Sequence, residues 1–237
     1  MQSRLRLLNL EKTLLEKFVI FPEFNSGKIR AEIKTGAIPD ILKPVPQAIS
    51  CFFRCKNSCE RDLIIEICSG TGDFIIPLAC NNPDKLFLGI DYSLPAIERA
   101  VKKVYNRAPA NLLFYCGSME DFFEHTFSQT RCRAVYINYP DPWPKKKHSK
   151  RRILNAEKIQ FVLNTLQAGG IIIIATDSQI LYEFAVREIK ILQQAEKINL
   201  RELDYSALTA WSGIKTVFSE KAEKKQSIVR FLCLEKN

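Results

Sequence analysis

From Asp62 onward, short apolar runs alternate with stretches of helical periodicity, and no other feature of the 237-residue chain restricts its fold as much. The runs "LIIEI", "KLFLGI", "NLLFYC", "AVYINY" and "GIIIIATD" read as strands, and helices are predicted near residues 73–80, 95–106, 156–166 and 179–194. Apolar strands separated by helices imply βαβ units, hence a mostly parallel sheet covered on both faces. The final runs, "KINLRELDY" and "SIVRFLCLE", have no long helix between them and are expected to pair as antiparallel strands. With 46% hydrophobic residues the chain can bury one sizeable core, so a single α/β domain is expected.

The first 60 residues are helix-like to about Phe18 and are then punctuated by Pro22, Pro39, Pro44 and Pro46. They read as an N-terminal extension packed on a core formed by residues 61–237. Arg4, Arg6, Glu11, Lys12, Glu16 and Lys17 break up any signal-peptide apolar region, and no run approaches the roughly 20 apolar residues of a membrane span. A cytoplasmic protein without membrane contact is expected. Eight cysteines in such a chain are expected to be reduced thiols. The spacing of four would place Cys51, Cys55 and Cys59 on one face of a helix, as a ligand set would be. No fourth cysteine or histidine lies close in sequence, however, and buried helix faces use cysteine more often, so no metal is expected.

The first strand ends in "IIEICSGTGDF". Gly70 and Gly72 stand at a strand-to-helix turn, where a missing side chain lets the backbone approach a ligand and aim its amides at it. The second strand ends "FLGIDYS", which leaves Asp91 at its tip, 21 residues after Gly70. An open α/β fold places an acid there to bind a ribose, so the two features together indicate an adenosine-containing cofactor. A tight turn and a helix-capping acid would give the same letters without a ligand. Ile75 stands where a dinucleotide fold would have its third glycine, and Glu66 lies just inside the first strand. That arrangement resembles the S-adenosylmethionine pocket of class I methyltransferases, with a nicotinamide dinucleotide as the runner-up.

The most unusual segment is "NYPDPWPKKKHSKRRIL", which sets Asp141 between prolines and then packs six Lys/Arg and His148 into residues 145–152. Together with "IEICSGTG", "FLGIDYS", "ATD" at 175–177 and "TVFSEKAEKK", in that order over roughly residues 60–234, it is similar to the bacterial tRNA (guanine-N7)-methyltransferases, the TrmB family. The resemblance implies a Rossmann-like class I methyltransferase fold, S-adenosyl-L-methionine as methyl donor and tRNA as substrate, with a variable-loop guanine as the target. It assigns Glu66, Gly70, Gly72, Asp91, Ser118 and Asp141 to the donor. It assigns Lys145, Asp177, Thr216, Val217, Phe218 and Ser219 to the guanine and tRNA.

Guanine N7 carries an in-plane lone pair and no proton, so it can attack a methyl group without a base. Positioning then dominates, and Asp141, in a partly dry pocket, would stabilise the charge developing on the ring or grip the guanine edge. Residues 145–152, Arg151 and Arg152 among them, would hold phosphates, in keeping with a net charge of +9. Trp143 suits either base stacking or loop packing, and His148 suits a phosphate or structural contact better than a general base. The chain departs from the family where Cys68 replaces a glycine, where Ser118 replaces an acid that contacts adenine (with Glu120 as the substitute nearby), and where "TVFS" ends in Ser219 in place of the family's glutamate, with Glu220 following immediately. A noncatalytic RNA-binding subunit and a small-molecule methyltransferase are the alternatives. The intact acids disfavour the first and the basic segment disfavours the second, while monomer and homodimer are both compatible with the sequence.

Overall fold

The computed structural model describes residues 19–20, 61–105, 109, 111–122, 131–195, 198–203 and 228–236. Among them an eight-stranded sheet forms from β1 (Val19–Ile20), β2 (Leu63–Ile67), β3 (Leu86–Asp91), β4 (Leu112–Cys116), β5 (Cys132–Asn138), β6 (Leu166–Thr176), β7 (Ile198–Leu203) and β8 (Arg230–Lys236). The spatial order is β1-β4-β3-β2-β5-β6-β8-β7. The strands from β1 to β6 pair in parallel, and β8 runs antiparallel to both β6 and β7. Helices α1 (Ile75–Asn81), α2 (Leu94–Tyr105), α3 (Met119–Asp121), α4 (Ala156–Thr165) and α5 (Gln179–Ala195) fill the connections, with a 3₁₀ helix at Lys146–Arg151. The five core strands, four main helices and antiparallel end predicted from periodicity are all present. The sequence reading did not foresee β1, the single turn α3 or the 3₁₀ helix.

Alternation along each strand divides the core into two layers. Leu63, Ile65 and Ile67 pack with Ile159, Val162 and Leu163 of α4 and Leu181, Ala185 and Ile189 of α5. Ile64 faces the other way, onto Ile75 and Ile76 of α1 and Ile97, Ala100, Val101 and Val104 of α2. Full burial of each such side chain contributes about 1.5–3 kcal/mol. Strand β6 begins four residues before the predicted run because Leu166 already pairs with Cys132, after which a register shift between Cys132 and Ala134 opens a bulge where Gly169 takes φ +68°. Asn155 caps α4 by accepting from the Lys158 amide at 2.9 Å, and Lys236 closes its other end by donating to the Leu163 and Leu166 carbonyls.

The chain runs β2, β3, β4 outward in one direction and then returns to place β5 on the other side of β2. At such a reversal the flanking helices diverge, and a crevice opens at the carboxyl ends of the two central strands. Ile67 of β2 lies opposite Ile137 of β5, and Asn138 opposite Ala175 of β6, so the turns after these strands share one edge. No helix among the described residues is long and apolar enough to cross a membrane.

Candidate active site

The turn after β2 is built around Asp91. Its Oδ2 accepts from the Gly70 amide at 2.8 Å and its Oδ1 from the Ser93 amide, also at 2.8 Å, so one carboxylate ties the glycine turn to the start of α2. Burial pushes the Asp91 carboxyl up, the Ser93 and Gly70 amides oppose this, and the charge of Asp141 adds to the rise. Gly70 (φ +53°) and Gly72 (φ +70°) occupy the left-handed region that favours glycine, and a β-carbon on Gly72 would come within 2.7 Å of the Ile76 side chain. Cys68 has φ +61°, so a thiol-bearing residue occupies a conformation better suited to the glycine usual there in the resembled family. Burial first, and then the charges of Asp91, Asp141 and Glu66, push that thiol's pKa up, which keeps it protonated and unreactive. Outside the turn, Thr71 donates to Asp73 Oδ2 at 2.6 Å, and Lys103 of α2 bonds both Asp73 and the Thr71 carbonyl.

Glu66 belongs to the sheet face of Ile64 yet carries a carboxyl only 3% exposed. Asn138 Nδ2 donates to its Oε1 at 2.9 Å across the β2–β5 boundary, and its Oε2 makes no full hydrogen bond. Burial pushes the Glu66 carboxyl up to about 8; the Asn138 bond and the Ile75 amide at the start of α1 oppose that rise, whereas the charges of Asp91 and Asp73 add to it. An orphaned oxygen at the floor of the crevice is a group that a cationic or hydrogen-bond-donating ligand would satisfy. The sequence reading missed Asn138, which stands two residues beyond Tyr136, the register partner of Glu66; a polar residue ending an apolar strand was the available signal.

The turn after β5 presents Asp141 to solvent, with Tyr92 reaching across from the end of β3 to donate to its Oδ2 in a long 3.4 Å contact. Tyr92, 70% exposed, was not singled out from sequence. Tyr139 and Trp143 flank the acid with φ +48° and +40°. Trp143 packs edge-on to His148 at 5.6 Å between ring centroids and lies 5.0 Å beneath the Arg151 guanidinium, which anchors the loop. Lys145 and Arg151 are exposed, whereas Arg152 is buried and donates to the Pro142 and Trp143 carbonyls.

Ser118 lies just beyond β4 and is half-buried; its carbonyl accepts from the Phe122 amide. Glu120 is engaged with Lys158 in an ion pair at 2.9 Å. Asp177 is exposed immediately after β6, on the same edge as Asp141. Thr216, Val217, Phe218, Ser219, Glu220, His125 and the Cys51, Cys55, Cys59 trio lie outside the described residues. Among the described residues Cys68, Cys80, Cys116, Cys132 and Cys233 are free thiols, and no group of three or more His, Cys, Asp or Glu is arranged to hold a metal ion.

Residues 60–232 match the family described as "Putative methyltransferase". The chain is 30% identical over 185 residues to a tRNA (guanine-N(7)-)-methyltransferase of Mesomycoplasma hyopneumoniae, covering 78% of this chain and 90% of that one. It is 32% identical over 146 residues to a protein of the same description from Chlamydia abortus; that match takes in 62% of this chain and spans 64% of that relative's length, under two thirds. Among solved structures, the 16S rRNA methyltransferase KamB superposes with a TM-score of 0.55 at 14% identity, over 78% of this chain and 91% of that one, a likeness of fold.

Proposed function

Because this chain belongs to the TrmB family of methyltransferases, we propose that it transfers the methyl group of S-adenosyl-L-methionine to N7 of a guanine in tRNA, in the variable loop, and that it does so in the cytoplasm as one domain over residues 61–237 with the first 60 residues as an extension. The observation that carries the reading is the placement of three carboxyl groups, Glu66, Asp91 and Asp141, around the crevice at the β2–β5 reversal, with the cations of residues 145–151 starting four residues beyond the exposed one.

The donor fits the crevice. Gly70 and Gly72 leave backbone space, Asp91 is already oriented by two amides and retains lone pairs for a ribose diol, and among the described residues no side chain bonds the second Glu66 oxygen. Ser118 would reach the adenine by a hydroxyl hydrogen bond, while Glu120 is held by Lys158. The donor supplies an electrophilic methyl on a sulfonium; this chain's residues position and stabilise. Asp141 would stabilise the positive charge that grows on guanine. Lys145 and Asp177 would hold the guanine and its neighbours together with Thr216, Val217, Phe218 and Ser219, and Arg151 would meet phosphate.

Nucleoside mass spectrometry of tRNA incubated with the protein and labelled donor tests the reading. Label in 7-methylguanosine is the expected result, and label confined to another nucleoside overturns it.

A further inference from the structure

The basic run invites a single interpretation for all its cations, yet its last residue turns inward. Arg152 is 6% exposed. Its Nε lies 3.2 Å from both the Pro142 and Trp143 carbonyl oxygens, its Nη2 donates to the Trp143 oxygen at 3.0 Å, and its Cζ stands 4.5 Å over the Phe184 ring of α5. Among the described residues its partners are therefore two carbonyls and a ring, not a carboxylate. Burying a guanidinium costs several kcal/mol unless its N–H groups are satisfied, and a residue serving phosphates alone has no need of that burial.

Pro140, Pro142 and Pro144 have no amide to donate; the Tyr139 amide ties the start of the loop to the Ala175 carbonyl at 2.8 Å, and Arg152 takes up the carbonyls beyond Asp141. Tyr139 and Trp143 sit in the left-handed region, and such conformations persist where the surroundings impose them. Arg152 holds the carbonyl of the residue directly after Asp141 and the next one along. A planar fork can span two successive carbonyls while stacking on a ring; a lysine ammonium cannot.

Building on the assignment of Asp141 to the guanine, we infer that Arg152 is a positioning residue: it clamps Pro142 and Trp143 and so sets the aim of the Asp141 carboxylate, while the exposed Arg151 is the one of the pair that meets RNA phosphate.

The test uses Arg152→Lys, which keeps the charge, with Phe184→Leu as a milder variant that removes the stacking surface. Arg152→Lys is expected to slow single-turnover methyl transfer at saturating donor and tRNA by about tenfold or more, because misaligning a reacting group by an ångström has effects of that size. Arg152→Gln, which removes the charge, should leave the slope of log tRNA affinity against log salt at its wild-type value. In the free protein, deuterium uptake over residues 139–145 should rise for both Arg152→Lys and Phe184→Leu, and for the latter by the smaller amount. Arg151→Ala should instead reduce the salt slope by about one. A reduced slope for Arg152→Gln, a wild-type single-turnover rate for Arg152→Lys, or uptake over residues 139–145 unchanged in both Arg152→Lys and Phe184→Leu overturns the inference. Wild-type protein that leaves tRNA unmethylated would sink the functional reading instead, and the uptake measurement, which needs neither donor nor RNA, still decides the role of Arg152.

Discussion

The turns after β2 and β5 leave adjacent strands at one edge of the sheet and are held by opposite means. In the first, amides of Gly70 and Ser93 converge on the Asp91 carboxylate, so the acid is the brace and the chain is folded around it. In the second, every other residue from 140 to 144 is a proline without an amide, a cation ten residues further on takes the Pro142 and Trp143 carbonyls, and the Asp141 carboxylate is left facing solvent with one long contact to Tyr92. An acid that is part of the scaffold can bind a ligand only in the orientation the scaffold dictates. An acid excused from structural work is available to respond to charge appearing on a substrate.

The contrast breaks most readily at Asp141. Asp141→Asn preserves shape and removes charge, so single-turnover transfer at saturating substrates should fall about 10- to 1,000-fold, roughly 1.4–4 kcal/mol of transition-state stabilisation, with little change in melting temperature. Asp91→Ala should affect both binding and structure: donor affinity by titration calorimetry should fall about 10- to 100-fold, with a lowered melting temperature and nearly unchanged tRNA affinity. If Asp91→Ala spared stability, the acid would not be the brace.

Glu66 sharpens the comparison from within the first region. Its carboxyl is raised in the fold to about 8 from an ordinary 4.5, so between those values the native state holds a proton that the unfolded chain has released. Stability from this group is therefore complete below about pH 4.5 and is lost as pH rises through 8. Between pH 6 and 8 the ligand-free protein should lose roughly 2 kcal/mol through Glu66, and urea titrations of Glu66→Gln should show that slope removed. The smallest expected effect is at Cys68. Cys68→Gly should relieve the left-handed strain and stabilise the protein by at most about 1 kcal/mol, part of the gain being offset by glycine's entropy, whereas Cys68→Ala, which keeps the β-carbon, should give none.

Periodicity revealed the sheet because its strands are apolar on both faces, and Asp91 was legible because a strand's end and a glycine turn fix where an acid must fall. What escaped is tertiary. Val19 and Ile20 carry no pattern that announces a two-residue edge strand on β4. Asn138 gains its meaning from a residue 72 positions away. Arg152 stands next to Arg151 in an unbroken basic string, and composition cannot separate a cation that faces water from one that faces two carbonyls and Phe184.

The position of β8 bears on how the protein is made. Strand β6 has an open edge and β7 has no ladder partner until β8 enters between them, so β7 and that edge wait for residues 230–236, which leave the ribosome after the rest of the sheet. Domains tend to consolidate from the N-terminal side as they emerge, and an unpaired strand edge is a template for aggregation during that interval. A nascent chain halted before Arg230 leaves the β6 edge without the ladder partner that covers it in the complete fold.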